Sequence, residues 1–455
     1  MVQCITTVIG ITFNYIVSRA YRPAFCCPLP KIALLHSKKI KCRRCIYPLH
    51  VNIFLLRLFH THTTNMSKFF TRGLLATATV LSLTTPLQSS AQKVDTVSSF
   101  SITGYIDAYY AYSTDSVGAG NYQKFPTVSP LSNSPGLNIA QVSVQYTGQK
   151  IRAVGTFHYG DIANSVWANP YNNIQEAHIG FKVCNKLWVD GGFFRSHFGT
   201  ELLTPAENIA SSLTVGTYYE PYYQSGIRLA WDPTSRLSVH LYLIPGYKLF
   251  IDNNNKPSAG IMATYAINEH LGITYTNYIG DDAAPAGTIK QLRFHNNAFL
   301  NYQKNKFRMQ VGADYCMQQN SDIATHSKTK SMYSALATFR YQCAAKLGVY
   351  VRGEMFSDPE GYMSTTFLDN KGKATGYKLV GGTAGAEFKP TPESYIKLEG
   401  RFLQMDKDQY IYYYNSAPQN ARLEVMLNAG ITFDMLRKVT TRTAVEDDAD
   451  ESLIK

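Results

Sequence analysis

The 455-residue chain has no run of eighteen or more apolar residues, which argues against a protein crossing a membrane on several helices. Charge is sparse. Asp, Glu, Lys and Arg together make up 17%, while apolar residues make up 45% and are spread thinly. Short catalytic signatures are also missing. There is no Gly-x-Ser-x-Gly elbow, no HExxH, no GxGxxG, no P-loop and no EF-hand pattern. Without these, no acid, base and nucleophile set can be assembled, so an enzyme is not expected and no cofactor or metal is implied. The Asp281-Asp282 pair sits among Ala and Pro and is read as solvated. Aromatics are abundant, with 32 Tyr and 23 Phe, and this composition excludes disorder.

The formal charge of +12 suggests a basic protein seeking nucleic acid, but its distribution argues otherwise. Residues 1–65 hold nine Lys/Arg, no acid, and five of the eight cysteines. A basic stretch with Lys68 and Arg72 follows Met66, then an apolar segment from Gly73 to Leu83, then Ser89-Ser90-Ala91. That order is a secretory signal peptide over 66–91, with Gln92 as the mature start. Such a signal works at a chain terminus, so 1–65 is expected to be a non-native upstream extension. The alternative is a genuine basic leader, in which Cys42-Arg-Arg-Cys45 is half a zinc site. From Gln92 onward 33 basic residues face 32 acidic ones, so no nucleic-acid partner is expected. Cys184, Cys316 and Cys343 remain, odd in number and far apart, and imply no disulfide framework.

Past the signal the apolar period is two. In Ile151–Tyr159 the residues Ile151, Ala153, Gly155, Phe157 and Tyr159 share one face, and Arg152, Thr156 and His158 share the other. Leu237–Leu243 and Leu423–Phe433 alternate the same way. Short connectors (such as Gly148-Gln-Lys150 and Lys304-Asn-Lys306) alternate with long polar ones, giving seven turns and eight loops. Fifteen connectors imply about sixteen strands of membrane-crossing length. The expected fold is therefore all-β, a transmembrane antiparallel up-and-down β-barrel over 92–435. An acidic disordered tail is expected over 436–455. Charges on the face opposite the apolar one suit a wet lumen better than a packed core. Tyr and Trp near strand ends, among them Tyr109, Tyr110, Tyr112, Trp188, Tyr218, Tyr219, Tyr222, Tyr223, Trp231 and Tyr410 to Tyr414, are expected to form interfacial girdles.

Three segments carry a family resemblance: Phe100-Ser-Ile-Thr-Gly-Tyr-Ile-Asp-Ala-Tyr-Tyr-Ala-Tyr112, Pro135-Gly-Leu-Asn-Ile-Ala-Gln-Val-Ser-Val144 and Gly191-Gly-Phe-Phe-Arg-Ser-His-Phe-Gly-Thr-Glu201. From about Phe100 to Phe433 the chain resembles the OmpL-like beta-barrel porin family. The resemblance implies a porin-like channel in the cell outer membrane, in contact with outer-membrane lipid, and names no substrate. It implies insertion by the barrel insertion machinery, although here residues follow the aromatic end of the last strand. Porins of this size are often homotrimers, but no interface signal stands in the sequence.

Counting alternate positions, the expected pore-lining bases are Arg152, Lys182, Arg228, Arg293, Arg308, Arg340, Arg352, Lys397, Arg401 and Arg422. The acids are Asp107, Glu176, Asp190, Asp314, Glu354, Glu387, Glu399 and Glu424. Ten against eight predicts weak ion selectivity, with many of them simply paired across strands. In sixteen-stranded general porins the third loop folds inward. By resemblance the segment 196–221, with Glu201, Glu207 and Glu220, is expected to form a constriction; the alternative is a surface loop. The expected function is passive diffusion of small hydrophilic solutes. The alternatives are a surface adhesin or receptor acting through its long loops, and a barrel hydrolase.

Overall fold

In the computed structural model, residues 96–283, 287 and 289–441 are described. The expected upstream extension (1–65), the signal peptide (66–91) and residues 442–455 of the acidic tail lie outside the described residues.

The described residues build sixteen long strands that pair antiparallel with their neighbours and close on themselves. They begin with β1 (Thr96–Ser113), β2 (Ser134–Thr147), β3 (Ile151–Tyr159), β4 (Ile174–Cys184) and β5 (Leu187–Arg195). They continue with β6 (Tyr223–Trp231), β7 (Leu237–Ile244), β8 (Ser258–Ala266), β9 (Leu271–Asp281), β10 (Leu292–Lys304), β11 (Phe307–Gln318), β12 (Lys330–Ala344) and β13 (Leu347–Ser357). Two short hairpins, β14 (Phe367–Leu368) with β15 (Ala374–Thr375) and β18 (Tyr412–Tyr414) with β19 (Ala417–Gln419), decorate the seventh and eighth loops. The barrel is completed by β16 (Lys378–Phe388), β17 (Ser394–Met405) and β20 (Ala421–Thr441), which closes against β1. Two single-turn helices, α1 (Asp161–Val166) and α2 (Val215–Tyr219), lie in the second and third loops. The sixteen-strand barrel read from the alternation is the observed fold.

Alternation decides the faces. On β13, Val349, Val351 and Met355 point out and are exposed, while Tyr350, Arg352, Glu354 and Phe356 point in and are buried. The outward side chains form an apolar band that meets lipid, and closure of the sheet leaves it no edge to protect. Rings lie on glycines directly across the ladder: Phe433 over Gly104 outside, and Tyr109 over Gly136, Tyr350 over Gly385 and Tyr395 over Gly430 inside. Each ring fills the space its glycine leaves and pins the register.

Three features differ from the sequence expectation. The last strand runs past Phe433 to Thr441, because β1 starts at Thr96 and supplies a partner that far. The aromatics divide: Tyr110, Tyr112 and Trp231 face out, exposed, as a girdle requires, but Tyr109, Tyr222, Tyr223 and Tyr412 are buried inside. Tyr109 is one residue out of phase with Tyr110, and the others are held in or beside inward-folded loops. Trp188 also points inward, under the guanidinium of Arg152, 4.6 Å from its ring centre.

Candidate functional site: the lumen and its third loop

Strand parity places all of Arg152, Lys182, Arg228, Arg293, Arg308, Arg352, Glu354, Lys397, Glu399, Arg401 and Arg422 on the inward face. What differs among them is what they touch.

Four hold the third loop (196–222) against the inner wall, and Arg401 supports one of them, Glu354. Arg352 donates from Nη1 to Glu201 Oε1 at 2.7 Å and to the Ser212 carbonyl at 2.5 Å, and from Nη2 to Ser212 Oγ at 2.7 Å. Glu201 also accepts from the backbone N–H of Thr214 at 2.7 Å, so the loop is tied back on itself at that point. Glu399 accepts from the N–H groups of Ser211 at 2.6 Å and Ser212 at 3.1 Å, and from the Tyr350 hydroxyl at 2.8 Å. Lys397 Nζ donates to the carbonyls of Pro205 at 2.6 Å and Asn208 at 2.9 Å. Glu354 takes both Arg401 bonds at 3.0 Å and the N–H of Val215 at 2.8 Å, at the start of α2. These buried charges each have several partners, as burial demands. From β10 and β11, a few strands round the barrel from β13, Gln310 donates to the Thr200 carbonyl at 2.5 Å and Asn297 to Thr200 Oγ1 at 3.2 Å.

Glu207 is clamped by Arg195 through two bonds of 2.6 and 2.8 Å. Burial pushes its carboxyl up, but the guanidinium more than reverses this and holds it below the usual range. Glu220 is buried beside Asp314 with no hydrogen-bond donor among the described residues, and burial pushes its carboxyl well up. In the fourth loop, Lys248 donates to the Tyr218 carbonyl at 3.0 Å and lies over the rings of Tyr218, Tyr219 and Tyr222. Burial brings its ammonium down to about 7.

Arg422 and Glu424 receive the first loop instead, through Gln123. Arg293 is bonded to Gln318 and paired with Asp282 at 3.1 Å, while Asp281 pairs with Lys256. Asp190 is shared by Arg152 (2.6 Å) and Arg228 (2.9 Å). Arg308 and Lys182 have no ion pair among the described residues. His158, His178, His240 and His295 all face inward. Ser334 donates to Asp314 rather than to His295, so these three form no nucleophile–base pair.

The alternation missed the apolar patch inside the loop end of the barrel. Cys316, Met332, Phe356, Leu379, Leu403 and Met405 point inward there. They pack with Phe125 of the first loop, Val215 and Tyr219 of the third, and Ile411 and Tyr412 of the eighth. The only sequence signal is that apolar residues intrude on the polar face near these strand ends, as in Leu403-Gln-Met405.

A closed antiparallel barrel with an apolar outer band, a charged inner wall and an inward-folded third loop defines an outer-membrane barrel of the porin class. Residues 99–433 match the family model "Putative beta-barrel porin-2, OmpL-like", and the chain belongs to that family. Its place is the outer membrane. Among solved structures it is similar to the outer-membrane channel DcaP of Acinetobacter baumannii, with a TM-score of 0.52 at 10% identity over 77% of this chain and 100% of that one. It is also similar to the anion-selective porin from Comamonas acidovorans, with a TM-score of 0.50 at 10% identity over 74% of this chain and 100% of that one. At such identity these likenesses concern the fold. No curated protein matches the chain.

Proposed function

We propose that the barrel is a pore for passive diffusion of small hydrophilic solutes, narrowed by its third loop, and that it performs no covalent chemistry. The observation that carries this reading is the loop itself, held inside a charged wall by Arg352, Lys397, Glu399 and Glu354. Rings of fixed charge and an inward loop together set size and sign at a constriction. In this reading Arg152, Lys182, Arg228 and Arg308, which keep some exposure, line the route, whereas the buried Arg293, Arg352, Glu354, Lys397, Glu399, Arg401 and Arg422 hold loops and wall together rather than face the solute. Glu201 and Glu207 shape the constriction by fixing the loop's path through their ties to Arg352 and Arg195. The protein meets lipid along its outer band, is inserted by the barrel insertion machinery, and assembles as a homotrimer. The packed aromatic loop end favours a second reading, a surface receptor with a blocked lumen.

Planar-bilayer conductance separates the two. The purified protein is expected to give steady channels, and deletion of residues 201–212 is expected to raise their conductance. A silent bilayer would favour the receptor, and an unchanged conductance in the deletion would remove the constriction. Hydrolysis of a lipid or peptide by the pure protein would overturn the non-enzymatic reading.

A further inference from the structure

The ten-to-eight count of inward charges hides an asymmetry that burial creates. Most acids are consumed by internal partners. Asp107, Glu354, Glu399 and Glu424 are buried, each accepting hydrogen bonds from side chains of the wall or from the first and third loops. Asp190 has no side-chain exposure beneath its two arginines, which keep 23% and 17% of theirs.

The bases that stay accessible lie at the turn ends of their strands. Arg308 is the second residue of β11, next to the 305–306 turn, and stands directly opposite Arg340 of β12. Its other ladder neighbour is the exposed Gln303 of β10. Arg340 is paired with Glu387 at 2.6 Å, and Lys397 also approaches that carboxylate, at 3.8 Å. Arg308 makes no hydrogen bond or ion pair among the described residues. Two guanidinium groups directly opposite each other repel unless an anion lies between them. The turns reinforce the sign: the residues joining the barrel strands on that side include six Lys/Arg and three Asp/Glu. Opposing this are Glu176 and Asp434, which also point inward with some exposure.

We propose that Arg308 and Arg340, with Gln303 beside them, form a docking step for small anions on the turn-side wall of the lumen. This step makes the channel pass anions in preference to cations of similar size. It rests on the pore reading above. A bidentate guanidinium site suits carboxylate, phosphate and other small oxyanions, and its field also draws chloride.

The test is the reversal potential of the purified full-length protein in a planar bilayer under a KCl gradient. Low total salt is needed, because the field of a fixed charge then reaches over a longer distance before it is screened. Chloride is expected to permeate several-fold better than potassium. Arg308→Glu should bring the ratio to unity or below, and the neutral Arg308→Gln should place it between the two. Each variant is first checked for the heat-dependent gel shift of a folded barrel. If the glutamate variant does not fold, the glutamine variant alone must lower the ratio. Inorganic phosphate added on the turn side should reduce chloride current in the native channel and much less in Arg308→Gln. Channels that conduct but prefer potassium, or a ratio unmoved in both variants, would overturn the anion step while leaving the pore intact. A bilayer with no channels would overturn both.

Discussion

Arg352 shows how much of the interior rests on single charged side chains. It is buried, it ties Glu201 and Ser212 of the third loop to the wall, and it approaches Glu354 at 3.6 Å. Replacing it with alanine leaves the buried Glu201 without its cation and Glu354 with Arg401 alone, and breaking a buried pair costs about 3–5 kcal/mol. Arg352→Ala is therefore expected to lower the urea midpoint of the folded barrel and to make single-channel current noisier as the loop detaches. An unchanged midpoint would show that the pair adds nothing to stability.

Asp322, in the sixth loop, is a contrasting case outside the membrane. Its carboxylate accepts from the Thr325 hydroxyl and from the N–H groups of Thr325, Ser327 and Lys328, and these bonds hold it well below the ordinary value near 3.8. A depressed acid contributes its full stabilisation above the unfolded value and loses it only as pH falls through the lowered one. The loop is thus expected to resist pepsin at about pH 3, where an ordinary aspartate is largely protonated. Asp322→Asn is expected to be cleaved several-fold faster there, and equal cleavage rates would count against the bonding.

A strand in this barrel has two environments one residue apart. Val351, midway along β13, points into lipid, and its neighbour Arg352 is buried in the interior. An Arg at position 351 should therefore destabilise by about 2–4 kcal/mol, the usual cost of a cation on the lipid face near the midplane. Equilibrium unfolding in lipid vesicles reads this directly, and a cost near zero would mean that the position lies at an interface. The period of two made these faces legible without coordinates, because side-chain direction on a strand depends only on parity. It could not assign aromatics in loops, which have no parity. Closeness to a strand end alone puts Tyr218, Tyr219 and Tyr222 in the girdle, yet they pack inside around Lys248.

The whole molecule closes through β1 and β20, whose pairing runs from Thr96↔Thr441 to Ser113↔Glu424. Closure leaves no edge and makes unfolding cooperative, so the unheated protein should migrate faster in a detergent gel than the boiled one. A band that heating does not shift would count against a closed barrel.

The order of turns and loops, the strand number and the inner and outer faces follow from the sequence, because local chain geometry dictates them. The fate of the charges does not. Lys397 and Arg308 look alike in the sequence, each a base on the inward face. Only tertiary packing makes one of them a buried tie to the third loop and leaves the other, at the turn end, with no hydrogen bond or ion pair among the described residues. The reason is physical: burial and pairing depend on contacts between residues about 190 positions apart along the chain, as between Lys397 and Pro205, and no local pattern encodes them.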